Sequence, residues 1–524
     1  MKAKQMMACV LAVALTFSGV FVPGSTSCAM EENQAIADSE AVSGEAVEAG
    51  EQSDDQAAEA IEDFAPGTER ERYHLDYPEY PRESNRGSGS LPASYGTDRA
   101  YQTIAKNQGA NGLCWCYGTN AIAEANMKKN GMGTQDFSEV HMGYATSNHG
   151  GNTVQGWDRA PYAGGNRYKS SDYLMRGTKL SGTVNESEDP CTDLENVLPD
   201  RALSITESKN QGYKARNILF LTDVFKPTLT AEINAIKAAI RDYGGVGASM
   251  YCDNENWDTY YNWDTGAYFF NRSVTYTWNG NYYPDNNHLV EIAGWDDNYS
   301  RNNFNSGCRP SGNGAWLVKS SWGPDFGDRG YIWISYEDTN FPISCFTIDG
   351  LDPYNSAETQ YESDYKLEGA GWGYSGVGTA YFMKTFTVNS ANQQLKAVKV
   401  FIPNASSYVS VDCIPDLDAL NPYDITEDGD MGLAKEYNFS EKKGINITYP
   451  GWYTIELDDL VDLKKKGSRF AIVIKSQLSD SSRRNDIGYD HFNPIDGGPT
   501  LPSMHLIGRR RRPVRDTTIS ASKP

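Results

Sequence analysis

An eight-residue segment, 108–115, places a glutamine six positions before a cysteine, with glycines between them. A thiol becomes a nucleophile when a positive field favours its thiolate, a base is nearby and N–H donors face the developing oxyanion. If Cys114 begins a helix, the helix N-terminus favours the thiolate. Gly109 and Gly112 allow a tight turn before that helix, which brings the Gln108 amide and the Cys114 N–H to one point. The segment therefore predicts a nucleophilic cysteine with its oxyanion donors.

The base is predicted at His288, one of six histidines in the chain. It begins a strand-like apolar run after an Asn-rich turn, and a loop held by a rigid sheet is a suitable position for a base. Further on, segment 316–323 ends a strand with two serines and a tryptophan. A third group must orient the imidazole toward the thiol, and Ser320 or Ser321 could accept the imidazole N–H. The alternatives are a buried structural thiol at Cys114 and a surface histidine at His288.

Three motifs in this order resemble the papain family of cysteine peptidases, and the resemblance covers about residues 91–345. Residues 107–115 are similar to the nucleophile motif of the family, and residues 287–295 are similar to its histidine motif. Residues 316–332 resemble its third motif. Residues 91–95 also resemble the start of the mature enzyme, and Gly164-Gly165 resembles the glycine pair whose backbone pairs with bound peptide.

The resemblance implies a role for each matching residue. Cys114 is the nucleophile and His288 the general base and acid, with Gln108 and the Cys114 N–H as oxyanion donors. Ser320 stands where the family usually has an orienting asparagine, and Trp322 shields that contact from water. The implied reaction is acyl transfer through a Cys114 thioester, with water clearing the acyl group. No cofactor is expected, and the cysteines are too scattered along the chain for a metal cluster.

Three departures from the family pattern carry expectations of their own. Ser320 has a shorter side chain than asparagine, so we expect it to reach His288 poorly or only through water. Asn111 replaces the disulfide cysteine before the nucleophile, so that local staple is expected to be absent. The 174 residues from Cys114 to His288 exceed the roughly 130–150 that are typical. We expect the extra length in residues 252–287, as a loop over the cleft.

Composition indicates an exported chain that does not bind nucleic acid. The formal charge is −22, with twelve acidic residues and no Lys or Arg in residues 31–63. Residues 1–29 are typical of a signal peptide, with an N-terminal membrane anchor as the alternative. No later run is long and apolar enough to span a membrane. Removal of the signal leaves seven cysteines, an odd number that implies at least one free thiol if the others pair.

The remaining sequence divides into four predicted parts. Residues 30–90 form an acidic disordered spacer or pro-segment. Residues 91–350 are predicted as α+β, a papain-like domain with a helical lobe and an antiparallel β lobe. Residues 365–508 alternate apolar and polar side chains, which predicts an all-β sandwich that resembles the lectin-like domain of some secreted bacterial peptidases. Residues 509–524 are expected to be a basic disordered tail.

Within residues 91–350 the pattern predicts individual elements. Helices are expected from Cys114 to Met127 and from Thr230 to a stop at Gly244. Strands are expected at 246–250, 289–295, 315–318 and 331–336.

The sequence thus predicts an exported cysteine endopeptidase, secreted or in the cell envelope, that acts on polypeptides. The β domain is a candidate for binding a cell-surface glycan or protein. Two alternatives remain. One is an adhesion or glycan- or protein-binding protein whose peptidase fold is weakened by Ser320. The other is a hydrolase of cell-wall peptides.

Overall fold

The structure is a computed structural model that describes most of the chain between residues 90 and 507. The described residues are 90–149, 156–157, 159–176, 179–222, 226–227, 230–278, 281–356, 361, 367–374, 378–419, 439–478, 480, 485–490 and 505–507. The expected signal peptide, acidic spacer and basic tail lie outside them. Within these ranges, we find no helix with the length and apolar character that a membrane span requires.

The helices lie in the first half of the described chain. Those before residue 210 form one lobe, whereas those at 230–243 and 257–260 contribute side chains to the core of the β strands. The helices are α1 (Cys114–Lys129), α2 (Glu139–Ala145), α3 (Arg167–Met175), α4 (Leu203–Glu207), α5 (Thr230–Tyr243) and α6 (Trp257–Tyr260). The predicted start of α1 at Cys114 and the predicted helix from Thr230 are confirmed. From Cys114 to Met127 every residue of α1 is buried, because other helices and the main sheet surround it.

Strands dominate the rest of the chain. They are β1 (Ser94–Tyr95), β2 (Tyr213–Phe220), β3 (Val246–Met250), β4 (Tyr261–Asn262), β5 (Ala267–Tyr268), β6 (Thr275–Trp278), β7 (Asn281–Pro284), β8 (His288–Asp296), β9 (Ala315–Lys319), β10 (Tyr331–Ser335), β11 (Ile343–Pro353), β12 (Leu367–Tyr374), β13 (Thr379–Thr387), β14 (Gln394–Ile402), β15 (Ser407–Ile414), β16 (Lys443–Ile447), β17 (Gly451–Asp462), β18 (Arg469–Leu478), β19 (Asn485–Asp490) and β20 (His505–Ile507). The four strands predicted before residue 337 are confirmed, with ends that differ by one residue or none.

The main sheet runs in the order β14-β17-β2-β11-β3-β8-β9-β10-β5-β4, and β1 also pairs with β8. Its pairs are antiparallel except for β10 with β5. One face of β2, β8 and β11 packs against α1 and α3, where Leu289 and Phe346 join the helical core. The predicted α+β fold, with a helical lobe against an antiparallel β lobe, is therefore confirmed.

The predicted β sandwich follows in the second half of the chain. A second sheet has the order β16-β15-β18-β13-β20. Side chains of β15 and β18 share a buried core with those of β14 and β17, which lie on the main sheet. Val411, Ile455 and Ile472 are each at most 6% exposed within this core. Alternation of apolar residues along these strands builds the two inner faces.

The two domains are joined by a shared sheet. Strand β17 pairs with β2 of the peptidase-like domain through Gly451 and Trp452. Phe401 of β14 projects to the opposite side from its neighbours and packs beside Phe220 and Tyr168, with ring centroids 5.5 and 6.3 Å away. The second domain is thus built onto the edge of the first.

Candidate active site

The N-terminus of α1 places Cys114 in an uncancelled positive field. Leu113 occupies the N-cap position without a side-chain cap, and no acidic residue lies in the first turn. The first backbone N–H groups of a helix lack intrahelical partners and carry its positive dipole end. Cys114 is the first residue of the helix, so this field favours its thiolate and any oxyanion formed beside it.

The segment before α1 is paired with the residues that follow β9. Gln108 N donates to Ser321 O at 2.8 Å, and Gly323 N donates to Lys106 O at 2.9 Å. Ser321 Oγ donates to Gln108 Oε1 at 2.5 Å, which fixes the orientation of the amide. Its Nε2 donates to Asn111 O at 2.8 Å, on the turn that leads into α1. These contacts unite the first and third sequence motifs and hold the Gln108 amide against the turn that leads into Cys114.

His288 is joined to the same unit by an aromatic stack. Its ring lies 4.7 Å from the Trp322 ring, with an interplanar angle of 15°. His288 opens β8, and the preceding Asn287 fixes that end of the strand. The Asn287 amide accepts from Cys252 N at 2.8 Å and donates to Cys252 O at 2.9 Å. The imidazole is therefore carried by a rigid strand end and covered by an indole.

A close approach of α1 to β8 places the first turns of α1 beside the start of the strand that His288 opens. A Cβ on Gly118 would lie 2.2 Å from Leu289 Cδ2, so a side chain there would require the leucine to move. Gly118 is one helical turn after Cys114 on the same face of α1, and Leu289 directly follows His288. The contacts link Gln108, Trp322 and His288, and Cys114 and Ser320 lie close to them along the chain; all five were predicted from the sequence.

Neither candidate serine is hydrogen-bonded to the imidazole. Ser321 Oγ is engaged with Gln108. Ser320 is 4% exposed. Within the described part of the chain, its Oγ and the buried His288 Nε2 both lack a hydrogen-bond partner. The shorter side chain of serine accounts for this, since asparagine would extend its carbonyl oxygen farther from the backbone.

Residues 257–268 do not form the expected loop over the cleft. Instead, β4 and β5 extend the main sheet, and Trp257 is 4% exposed. Trp257 and Phe326 contact Trp322 edge-on, with ring centroids at 5.4 and 4.8 Å. The expectation is wrong for this part of the insertion because its aromatic residues form core. Trp257 and Phe326 support the indole that covers His288. The high density of aromatic residues in the insertion is the sequence feature that could have predicted this buried role.

The predicted glycine pair lies beside the nucleophile. Gly112 N donates to Tyr162 O at 2.8 Å, which ties the pre-helix turn to this segment. A Cβ on Gly165 would lie 2.5 Å from the Trp115 ring, so glycine is required for the close approach. Gly165 remains half-exposed, and its backbone is accessible to a bound chain.

The position of the missing disulfide is occupied by a hydrogen bond. Asn111 Oδ1 accepts from Leu198 N at 2.9 Å, which connects the pre-helix turn to the loop that follows α3. Among the cysteines of the described residues there is no disulfide. Cys116 is fully buried, and burial raises the pKa of its thiol well above the usual value. Cys116 is therefore a structural residue.

A buried ion cluster lies beneath the site. Lys106 Nζ lies 2.7 Å from Asp136, 3.0 Å from Glu139 and 3.2 Å from Glu124. Burial lowers the pKa of Lys106, but the Glu139 and Glu124 carboxylates outweigh it and raise the pKa overall. Lys106 therefore remains charged and anchors the segment that carries Gln108. No arrangement of His, Cys, Asp and Glu suited to a metal ion occurs in the part of the chain that the structure describes.

Comparison with known families agrees with this geometry. Residues 92–346 match the model of the papain family of cysteine proteases. The domain of residues 92–346, which holds Cys114 and His288, belongs to that family.

Two relatives illustrate the range of the family. Cathepsin B-like cysteine proteinase 3 of Caenorhabditis elegans is 22% identical over 276 residues, which cover 50% of this chain and 65% of that protein. Vignain of Vigna mungo is 24% identical over 252 residues, which cover 47% of this chain and 54% of that protein. The chain therefore spans less than two thirds of either relative.

Two solved structures resemble both domains. One contains the cysteine protease and lectin-like domains of Cwp84, a surface layer associated protein of Clostridium difficile. It is 23% identical, has a TM-score of 0.63, and the match covers 81% of this chain and 82% of that one. A form of Cwp84 after propeptide cleavage is 23% identical with a TM-score of 0.62, covering 77% of this chain and 88% of that one. The likeness shows the fold, a papain-like domain followed by an all-β sandwich domain.

Proposed function

We propose that this protein is an exported cysteine endopeptidase. One observation carries the proposal: the backbone before Cys114 pairs with the segment that holds Trp322, and Trp322 stacks on His288. This arrangement gathers a thiol at a helix N-terminus, a base on a strand end and an amide donor, which are the parts that thiol acyl transfer needs.

In the proposed reaction the Cys114 thiolate attacks the carbonyl carbon of a peptide bond. Gln108 Nε2 and the Cys114 N–H donate to the oxyanion. His288 gives its proton to the leaving amine, which departs and leaves a thioester. His288 then takes a proton from water as the water attacks, and the acid product leaves.

The test is turnover of a peptide panel by the full chain and by Cys114→Ala. We expect cleavage of unstructured polypeptides and a loss of at least about 10³-fold in the variant, because the residual reaction lacks a nucleophile. The matched control is Cys116→Ala, which should retain turnover. Cleavage that survives in Cys114→Ala would contradict the proposal. The same panel includes cell-wall peptides, so it shows whether the enzyme prefers polypeptides or cell-wall peptides as substrates.

We further propose that the protein acts outside the cytoplasm, secreted or in the cell envelope, with its β domain bound to a surface glycan or protein. The support is the signal-like sequence of residues 1–29 and a fold shared with a surface layer associated protein. The full-length Cys114→Ala chain should sediment with isolated cell envelopes. Equal recovery of the protein with and without envelopes would contradict this location.

A further inference from the structure

A buried arginine lies behind the glycine pair. Arg159 is 3% exposed, and its guanidinium reaches the chain just before Gly165. Its Nε donates to Gly164 O at 3.0 Å, and its Nη2 donates to Ala163 O. Two consecutive carbonyl groups are thus turned inward toward one cation, which fixes the direction of the peptide planes that follow.

The other side of the guanidinium is fixed to α2. Arg159 Nη1 donates to Gly143 O at 3.1 Å and to Thr146 Oγ1 at 3.0 Å. The Arg159 carbonyl in turn accepts from Ser147 Oγ at 2.5 Å. A guanidinium presents its donors in a rigid planar fork, which the single ammonium of lysine cannot reproduce. Arg159 therefore ties the glycine segment to a helix that packs on α1.

The same cation lies against the residue that follows the nucleophile. The guanidinium carbon is 5.1 Å from the centroid of the Trp115 ring. Trp115 Nε1 donates to Ala163 O at 3.4 Å, and the ring leaves no room for a side chain on Gly165. Arg159, Trp115 and the glycine pair thus form one packed unit next to Cys114.

We propose that Arg159 is a positioning residue that fixes the Gly164-Gly165 backbone for pairing with an extended peptide substrate. The inference rests on the proposed function and deepens it. Because no disulfide joins the described cysteines, hydrogen bonds supply the connection between this segment and the helical lobe. Replacement of Arg159 removes the guanidinium donor to Gly164 O and leaves Ala163 O with the longer bond from Trp115 Nε1. The glycine pair then shifts relative to Cys114.

The experiment separates peptide pairing from the chemistry at the thiol. The affinity of the insulin B chain is measured for Cys114→Ala and for the same chain with Arg159→Lys or Arg159→Gln. In parallel, turnover of p-nitrophenyl acetate and the rate of Cys114 alkylation by iodoacetamide are measured with Cys114 intact. Neither small reagent has a peptide backbone to pair with the glycines.

We expect both Arg159 variants to weaken the affinity for insulin B chain at least about tenfold, since displacements near 1 Å have effects of that size. Turnover of p-nitrophenyl acetate and alkylation should stay within about twofold. The matched control is Arg201→Lys, which disrupts the two hydrogen bonds from Arg201 to Asp189 in the same lobe. Arg201 does not hold the glycine segment, so this variant should retain its affinity for the peptide.

Two results would overturn the inference. One is unchanged affinity for insulin B chain, and the other is an equal loss in peptide affinity, ester turnover and alkylation, which would assign Arg159 to the general fold. Failure of the wild-type chain to cleave insulin B chain would contradict the endopeptidase function instead, while the affinity measurement would still report on Arg159.

Discussion

Replacement of Ser320 by asparagine should accelerate the reaction. Ser320 Oγ and His288 Nε2 are both buried without hydrogen-bond partners in the described residues. Ser320 also lines a cavity of about 20 Å³ beside Gly118 and Leu289. The asparagine carbonyl can then accept the Nε2–H and hold the imidazole toward Cys114.

The size of the effect follows from the positive charge that the imidazole bears when His288 holds the transferred proton in the proposed reaction. A hydrogen bond to a charged group contributes about 1.5–3 kcal/mol, and each 1.36 kcal/mol changes a rate about tenfold. Part of the bond also forms in the substrate complex and does not accelerate the chemical step. We therefore expect Ser320→Asn to raise kcat about tenfold.

The assay is kcat for an internally quenched peptide between pH 5 and 9, with Ser320→Ala as the matched control. Because Ser320 Oγ has no hydrogen-bond partner among the residues that the structure describes, the alanine variant should stay within about twofold of wild type. An unchanged or lower kcat in a stably folded Ser320→Asn chain would show that another group already orients His288. A large loss in Ser320→Ala would show that the hydroxyl does act on the imidazole.

Two further predictions concern stability. Phe401→Ala should destabilise the chain by about 3–5 kcal/mol and lower the temperature at which peptide turnover is lost. Phe386→Ala, a half-buried site within the second domain, should cost less, and equal costs would contradict a domain junction centred on Phe401. Burial lowers the pKa of His141 to about 4. As the pH drops, the histidine is therefore protonated in the unfolded chain before it is protonated in the folded one. The free energy of unfolding should fall between about pH 6.5 and pH 4 by up to about 3 kcal/mol. Denaturant unfolding at pH 7 and at pH 4.5 measures the free energy of unfolding that is lost in acid. This loss should be smaller in His141→Gln than in wild type, while the control at the exposed His149, His149→Gln, should match wild type. Equal losses in the two variants would refute the assignment to His141.

Local signals were sufficient to predict much of the site. Gly109 adopts a φ of +58°, in the left-handed region that glycine enters without steric cost. Helix α1 begins at Cys114 because the turn ends there. His288 opens its strand because the apolar run starts at that residue. Such features depend on neighbours within a few positions, so composition and period reveal them.

The supporting contacts join residues far apart in sequence and could not be predicted in this way. Ser321 bonds to Gln108 across 213 positions, and Trp257 supports Trp322 only because β4 and β5 extend the main sheet. Alternation along β17 predicted a strand but carried no information about its partner, β2. Arg159 is a lone arginine in a Gly- and Asn-rich segment, where only the folded chain reveals its burial.

The central claim, that His288 activates Cys114, is tested most directly by the alkylation rate of Cys114 as a function of pH in the wild-type chain and in His288→Gln. The half-exposed Cys191, whose thiol pKa is raised mainly by burial, serves as the internal reference. We predict that below pH 7 Cys114 of the wild-type chain reacts at least about tenfold faster than Cys114 of the variant, because the imidazolium stabilises its thiolate. If instead the alkylation rate of Cys114 rises at about pH 8.5, as for an ordinary thiol, and is equal in both chains, activation of Cys114 by His288 is contradicted.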